Sequence, residues 1–243
     1  MEINFQGKTA LVTGAGKGIG RTTAIELTKC GAQVIALSRT QADLDSLKAE
    51  HPTMRVVHCD LANWDEARST ISNLGAIDLL VNNAAIAVCE PCLIAKPDDF
   101  DSMMNVNVKA VLNVSQVVAA GMAERGGGSI VNISSQASMA ALAEHVIYAA
   151  SKGALDSMTK VMALELGPKN VRVNAVNPTV ITTAMSMAGW SDPQKQKWMK
   201  DRIPLGRFGD PVEVAYPIIF LLSDKASMIN GVLLPIDGGF TAC

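Results

Sequence analysis

The sequence predicts an α/β fold, a Rossmann-type, doubly wound, seven-stranded parallel sheet with helices on both faces. Three observations carry that expectation. Short apolar, β-branched runs alternate with longer segments of helical period, and such alternation builds right-handed βαβ units on a parallel sheet. Run interiors such as Leu79-Leu80-Val81 are apolar at successive positions, as strands covered from both sides must be. A glycine-rich turn follows the first run and opens a helix, which is where such a sheet receives a nucleotide.

The first run, Thr9–Thr13, leads through Gly14-Ala15-Gly16-Lys17-Gly18-Ile19-Gly20 into a helix near 18–30. Gln33–Ser38 and a helix near 41–50 follow, then Arg55–Cys59 and a helix near 63–74. Ile77–Val81 precedes a long helical stretch near 99–125, Ser129–Ser134 precedes one near 146–167, and Val171–Val176 is the sixth run. A helix near 211–223 and a last run, Val232–Pro235, complete the series. The expected strand order is 3-2-1-4-5-6, with a seventh strand at the edge. Two stretches break local rules. Pro217 falls inside the last helical pattern and should kink it or start a new turn. Thr182–Pro204 lacks a clear period and reads as a long irregular insertion, the usual form of a lid or substrate loop.

Length and composition bound the function. The 243 residues, 49% hydrophobic and 18% charged with a net charge of −2, fit one domain over 1–243. The balance argues against a dedicated nucleic-acid or anionic-membrane binder. No uninterrupted apolar run is long enough to span a bilayer, and Met1-Glu2-Ile3-Asn4 has no secretory character, so a soluble, cytoplasmic protein is expected. Five cysteines, at 30, 59, 89, 92 and 243, form no extracellular framework. Cys89 and Cys92 make a CxxC, but no second ligand pair accompanies it, so no metal is expected.

The glycine turn has the pattern Thr-Gly-x-x-x-Gly-x-Gly, with glycines at 14, 18 and 20, and Ile19 between the last two. It is neither a GxGxxG nor a phosphate loop closed by Gly-Lys-Ser/Thr. The second run ends in Ser38-Arg39-Thr40, where a cofactor with a free ribose 2′-OH would meet an acid. A carboxylate would repel a 2′-phosphate, whereas a guanidinium binds it bidentately. Arg39, with Lys17 approaching from the glycine turn, therefore favours NADP over NAD. Asp60-Leu61 and Asn82-Asn83-Ala84 end the third and fourth runs, along the same crevice.

Tyr148 and Lys152 stand four apart, on one face of a helix. A phenol, with a pKa of about 10, needs nearby positive charge to act near neutrality. Lys152 supplies that charge. Ser135, at the end of the fifth run, can steer a carbonyl oxygen toward Tyr148. Ser134 is its neighbour, and alternation favours Ser135.

With these residues the chain resembles the short-chain dehydrogenase/reductase family over essentially its whole length. The resemblance rests on Thr13–Gly20, Asn82-Asn83-Ala84, Ser135, Tyr148-x-x-x-Lys152 and Asp237-Gly238-Gly239. It implies a tetrad of Asn107, Ser135, Tyr148 and Lys152, in which Asn107 interrupts helix bonding and holds a water serving Lys152. Asn105 is the competitor for that place. It also implies that the Ile181 backbone and the Thr183 side chain, within Pro178-Thr179-Val180-Ile181-Thr182-Thr183, hold the nicotinamide carboxamide. Thr179 and Ala85 stand where the family usually has Gly.

One branch of the family is closer, the homotetrameric, NADPH-dependent reductases of a keto-pentose and of α-dicarbonyls. Ser38-Arg39-Thr40-Gln41-Ala42-Asp43-Leu44, Trp190-Ser191-Asp192-Pro193 and Arg202-Ile203-Pro204-Leu205-Gly206 carry that likeness. It implies Gln136, His145 and Trp190 as groups on the substrate side, beside Ser135 and Tyr148. The expected partners are thus a small carbonyl or sugar substrate and three further copies of the chain. Two alternatives stand beside this reading. One is a reductase of steroids, quinones or 3-oxoacyl carriers, for which Lys195, Lys197 and Lys200 would offer a basic mouth. The other is an idle NADP sensor, which would have no need of Ser135 and Tyr148 together.

Overall fold

A computed structural model describes residues 2–242, so Met1 and Cys243 lie outside the described residues. Seven parallel strands form one sheet: β1 (Thr9–Thr13), β2 (Gln33–Ser38), β3 (Arg55–His58), β4 (Leu79–Asn82), β5 (Gly128–Ile133), β6 (Val171–Pro178) and β7 (Leu233–Ile236). Their order is β3-β2-β1-β4-β5-β6-β7, as expected. Connecting helices are α1 (Gly18–Lys29), α2 (Gln41–Glu50), α3 (Trp64–Ser72), α4 (Pro97–Met104), α5 (Ala110–Glu124) and α6 (Val146–Leu166). α7 (Ala184–Gly189), α8 (Pro193–Lys200) and α9 (Pro211–Leu222) follow β6.

Strand alternation divides the core between the two faces. Ala10, Val12, Leu79, Val81 and Val131 pack with Leu27 of α1 and Val214 and Ile218 of α9. Leu11, Leu80 and Ile130 point the other way, onto Ile71 of α3, Val114, Val118 and Met122 of α5 and Met162 of α6. Both faces are covered, which explains why β4 reads Leu79-Leu80-Val81 with no polar alternation.

β1 pairs with β2 on one side and β4 on the other. The chain winds outward in both directions from β1, opening a crevice at the carboxyl ends of β1 and β4.

Several boundaries differ from the sequence expectation. β4 runs to Asn82 instead of starting at Ile77, because Asn82 pairs with Asn132 in the ladder. Its buried Nδ2 donates to Ser115 Oγ at 2.9 Å and to Asn132 Oδ1 at 2.8 Å. The helix expected over 99–125 begins at Pro97 and contains a π-helical segment, Asn105–Lys109, between α4 and α5. By length and composition the run Pro97–Glu124 could cross a membrane, but half of its most apolar window is buried in the protein. That is the packing of a core helix.

Pro217 neither ends α9 nor begins a new turn; one helix runs through it from Pro211 to Leu222. The stretch expected to be irregular, Thr182–Pro204, holds α7 and α8. Asp192 caps α8 by accepting from the Gln194 N–H at 2.8 Å, with Pro193 in its first turn. Six of its eight residues are Pro, Gln or Lys, so too few apolar positions exist to reveal a period.

Candidate active site

The glycine turn is built by close approach. Gly14 has a φ of +63°, and a Cβ there would lie 2.8 Å from Ala84 Cα, so only glycine fits. A Cβ on Gly20 would collide with Asn83 Nδ2. The Asn83 side chain is a brace: its amide donates to the carbonyls of Thr13 at 2.9 Å and Gly14 at 3.1 Å. Thr13 Oγ1 accepts from the Asn83 and Ala84 N–H groups at 3.0 and 3.1 Å. The turn is therefore fixed to the end of β4. No side chain caps the amino end of α1, leaving its first N–H groups turned to the crevice, as an anion requires.

That crevice, about 470 Å³, is walled by Gly14, Lys17, Gly18, Ile19, Ser38, Arg39, Thr40, Asp60, Leu61, Asn83 and Ala84. Tyr148, Lys152, Pro178, Ile181 and Thr183 close its far end with Ser135. Gly20 lies behind the wall, under Asn83.

At the second-strand end no carboxylate follows Ser38 directly, and Arg39 is exposed with no ion pair among the described residues. Lys17 differs from expectation: its ammonium pairs with Asp43 at 3.1 Å. Sequence reading missed Asp43, which lies in the first turn of α2, just past the strand end. The signal was its position at a helix start, where acids are favoured. These features fit a dinucleotide with a 2′-phosphate: a backbone cradle with no room for a Cβ, an uncapped helix start and an unpaired guanidinium.

The reacting groups meet at the ends of β5 and α6. Ser135 is buried, and its Oγ accepts from the Ala137 N–H at 3.1 Å. Lys152 is buried, donates to the Ile133 carbonyl at 2.8 Å, and stands 5.6 Å from the Tyr148 ring centre. Burial pushes the Tyr148 phenol up to about 12, with a Ser135 hydrogen bond pulling it back and Cys89 adding to the rise. Burial likewise pulls Lys152 down to about 8, against Asp156. In the free protein desolvation therefore outweighs the acidification that the Tyr-Lys spacing alone suggests.

Asn107 is buried in the π segment. Its amide donates to the Ile86 carbonyl at 3.0 Å and to Ser151 Oγ at 3.1 Å, and its Oδ1 accepts from the Ile86 N–H at 2.9 Å. It ties the loop after β4 to α6. Asn105 instead donates to the Ala62 carbonyl at 3.0 Å, away from the crevice. Thr183 Oγ1 accepts from the Ser186 N–H at 3.3 Å and caps the start of α7, so α7 begins at a crevice residue. Sequence reading also missed Ile86, Val106, Met185 and Ser186, which line the same space. Their apolar or small side chains carry no chemical signature.

The three further substrate-side residues do not line the crevice itself. Gln136 is fully buried beside Ser135, and neither its Oε1 nor its Nε2 has a partner among the described residues. His145 donates from Nδ1 to the Ala143 carbonyl, 2.6 Å away, and its Nε2 meets Cys89 Sγ at 3.4 Å. Its ring lies edge-on to Tyr148, 6.1 Å between centres. Trp190 is 7% exposed and packs with Phe208, Met199, Val180 and Ile203, a satellite core under the segment after β6. Its flat face meets Lys195 at 5.3 Å.

Residues 14–241 match the family described as enoyl-(acyl carrier protein) reductase. An L-xylulose reductase of Mesocricetus auratus is 55% identical over 241 residues, covering 99% of each chain. A D-erythrulose reductase of Gallus gallus is 51% identical over 240 residues and 98% of each. A crystal structure of a gluconate 5-dehydrogenase from Burkholderia cenocepacia, in complex with NADP and tartrate, superposes with a TM-score of 0.94 at 34% identity, covering 100% of this chain and 98% of that one.

Proposed function

Because this chain belongs to the short-chain dehydrogenase/reductase family and is an NADP-dependent oxidoreductase of C=O and CH–OH groups, we propose that it reduces L-xylulose to xylitol, together with α-dicarbonyls and similar small ketones. The observation that carries this reading is the meeting of Ser135, Tyr148 and Lys152 at one end of a crevice whose other end offers Arg39 and the glycine turn. The first relatives act, by their names, on short sugar ketones.

Arg39 and Lys17 would hold the 2′-phosphate, the start of α1 the pyrophosphate, Asp60 and Leu61 the adenine side, and Asn83, Ala84, Pro178, Ile181 and Thr183 the nicotinamide side. When bound, NADPH supplies the hydride that turns the carbonyl carbon into a carbinol. The protein's own part is proton management. Ser135 Oγ donates to the substrate carbonyl oxygen and fixes its position. Tyr148, kept protonated by burial, gives its proton to that oxygen as negative charge develops there, a step worth about 10²–10⁴ in rate. The Lys152 ammonium stabilises the phenolate left behind. Asn107, tied to the Ile86 backbone and to Ser151 Oγ beside Lys152, would hold the water through which a proton returns from solvent.

A 3-oxoacyl-carrier substrate is disfavoured by a specific observation. Lys195 pairs with Glu144 at 2.8 Å, Lys197 with Asp201 at 2.6 Å, and Lys200 lies over Phe208 at 4.8 Å. Two of the three cations are thus engaged by carboxylates, which weakens the basic mouth an acidic carrier would meet. The proposed assembly is a homotetramer, the segment 182–204 is its substrate loop, and residues 1–243 act as one NADP-binding domain. Four free cysteines among the described residues fit the reducing cytoplasm proposed as its compartment.

The test is NADPH oxidation against L-xylulose, D-erythrulose, diacetyl, a steroid ketone and an acetoacetyl thioester. Selective turnover of the first three is expected, and preference for the thioester overturns the reading. Tyr148→Phe should lower kcat by about 10³ or more while leaving NADPH affinity, read by fluorescence titration, within about twofold.

A further inference from the structure

Asp156 lies one helical turn beyond Lys152 on α6 and belongs to no part of the chemistry assigned above. It is 6% exposed. Its carboxylate accepts from Asn177 Nδ2 at 3.2 and 3.1 Å. The same Nδ2 reaches the Ser135 carbonyl at 3.2 Å and Ser138 Oγ at 3.0 Å. Ser138 Oγ in turn donates to the Ser135 carbonyl at 2.6 Å. A buried acid thus connects α6, the end of β6 and the turn that presents Ser135.

A carboxylate withdrawn from water is tolerated where donors and a counter-charge compensate it. The counter-charge available at i−4, on the same helix face, is Lys152. That lysine is 2% exposed, so it too needs compensation. We infer that Asp156 is a positioning residue, which keeps the buried Lys152 ammonium charged and, through Asn177, fixes the turn carrying Ser135. This rests on the roles proposed for Lys152 and Ser135.

The surroundings leave this duty to Asp156. Burial works against the Lys152 charge, and Asp156 is the group that works for it. Tyr148 shares the helix, and Cys89 bears on Tyr148. The other elements packed against α6 present neutral groups here: Asn107 through Ser151, the Ile133 carbonyl, Gln136, Ser138 and Asn177. Asp98, Asp99 and Asp101 on α4 and Lys169 beyond the end of α6 do not act on Lys152.

Asp156→Asn keeps the shape and an acceptor for Asn177 but removes the charge. Competitive acetylation of the free protein, read by peptide mass, measures the Lys152 titration directly. In Asp156→Asn the midpoint should fall by about one pH unit, and the alkaline limb of kcat/KM for carbonyl reduction should fall with it. Asp156→Glu should bring both back to within a few tenths of a unit of the wild type. Asn177→Ala, which spares the carboxylate, should lower kcat by about tenfold and leave the Lys152 midpoint in place. Should Asp156→Asn not fold, Asp156→Ser serves the same measurement. An unmoved Lys152 midpoint in a folded neutral variant overturns the inference. Because labelling reads Lys152 without turnover, that failure is distinct from failure of the catalytic roles, which Tyr148→Phe tests.

Discussion

Single residues set the choice of cofactor. Arg39 was legible in the sequence because a cation stands where an acid would exclude a 2′-phosphate, and the structure leaves it exposed and unpaired among the described residues. Lys17 was equally legible as a cation, but its partner was not. Asp43 is remote from the glycine turn in sequence and meets Lys17 only once α2 is folded. The two cations should therefore behave differently. Arg39→Ala is expected to raise the KM for NADPH by roughly tenfold or more and leave that for NADH nearly unchanged. Asp43→Asn frees Lys17 from a competing carboxylate and should tighten NADPH by a few-fold, an effect that shrinks as salt rises. Fluorescence titration at low and high ionic strength reads both. Equal changes for the two nucleotides would remove Arg39 from the phosphate corner.

Elements were legible where one period rules them. The strands showed as apolar, β-branched runs, and α1 and α6 were placed close to their observed ends. The π segment was invisible to periodicity, since a single extra residue in a helical turn does not disturb a 3.6-residue pattern over a long stretch; the family resemblance alone placed an interruption of helix bonding there, at Asn107. α8 was hidden because its polar composition leaves no apolar stripe. Helix α9 shows how a cap can outweigh a local fault. Pro217 removes one intrahelical donor, but Glu213 accepts from the Asp210 N–H at 2.8 Å and forks onto Arg207 at 2.7 and 2.6 Å. The Arg207 hydrogen bond, then that from the Asp210 backbone, hold the Glu213 carboxyl down to about 2. A pKa lowered on folding stabilises above the unfolded value of about 4.3, and the gain disappears as pH falls toward 2. The pair is largely exposed, so screening keeps the effect small. Glu213→Gln should lower the Tm by about 1–3 °C at pH 7 and by less near pH 2, with kcat unchanged. A pH-independent difference would mean that packing, not charge, does the work.

Among the large apolar side chains left exposed, two groups lie where copies of the chain would meet in the proposed tetramer. On α5 and α6, Leu112, Val161 and Leu164 face solvent, Leu164 at 77% exposure. Elsewhere Met228, 97% exposed, sits on the turn that leads from α9 to β7, the terminal strand of the sheet. A sheet edge ends in unpaired backbone groups and invites cover, and burying an exposed Leu or Met is worth about 1.5–3 kcal/mol. Two self-complementary faces on one subunit generate a closed tetramer with three two-fold axes, because each isologous contact supplies one axis and the third follows. Leu164→Glu places a charge in the helical face and should yield dimers joined through the β7 edge. Met228→Glu should yield dimers joined through α5 and α6, and the double variant monomers. Light scattering coupled to gel filtration separates these species, and a monomeric wild type at micromolar concentration would refute the arrangement. The crevice is built within one chain, so the dimers should retain NADPH affinity while the Tm falls with subunit concentration.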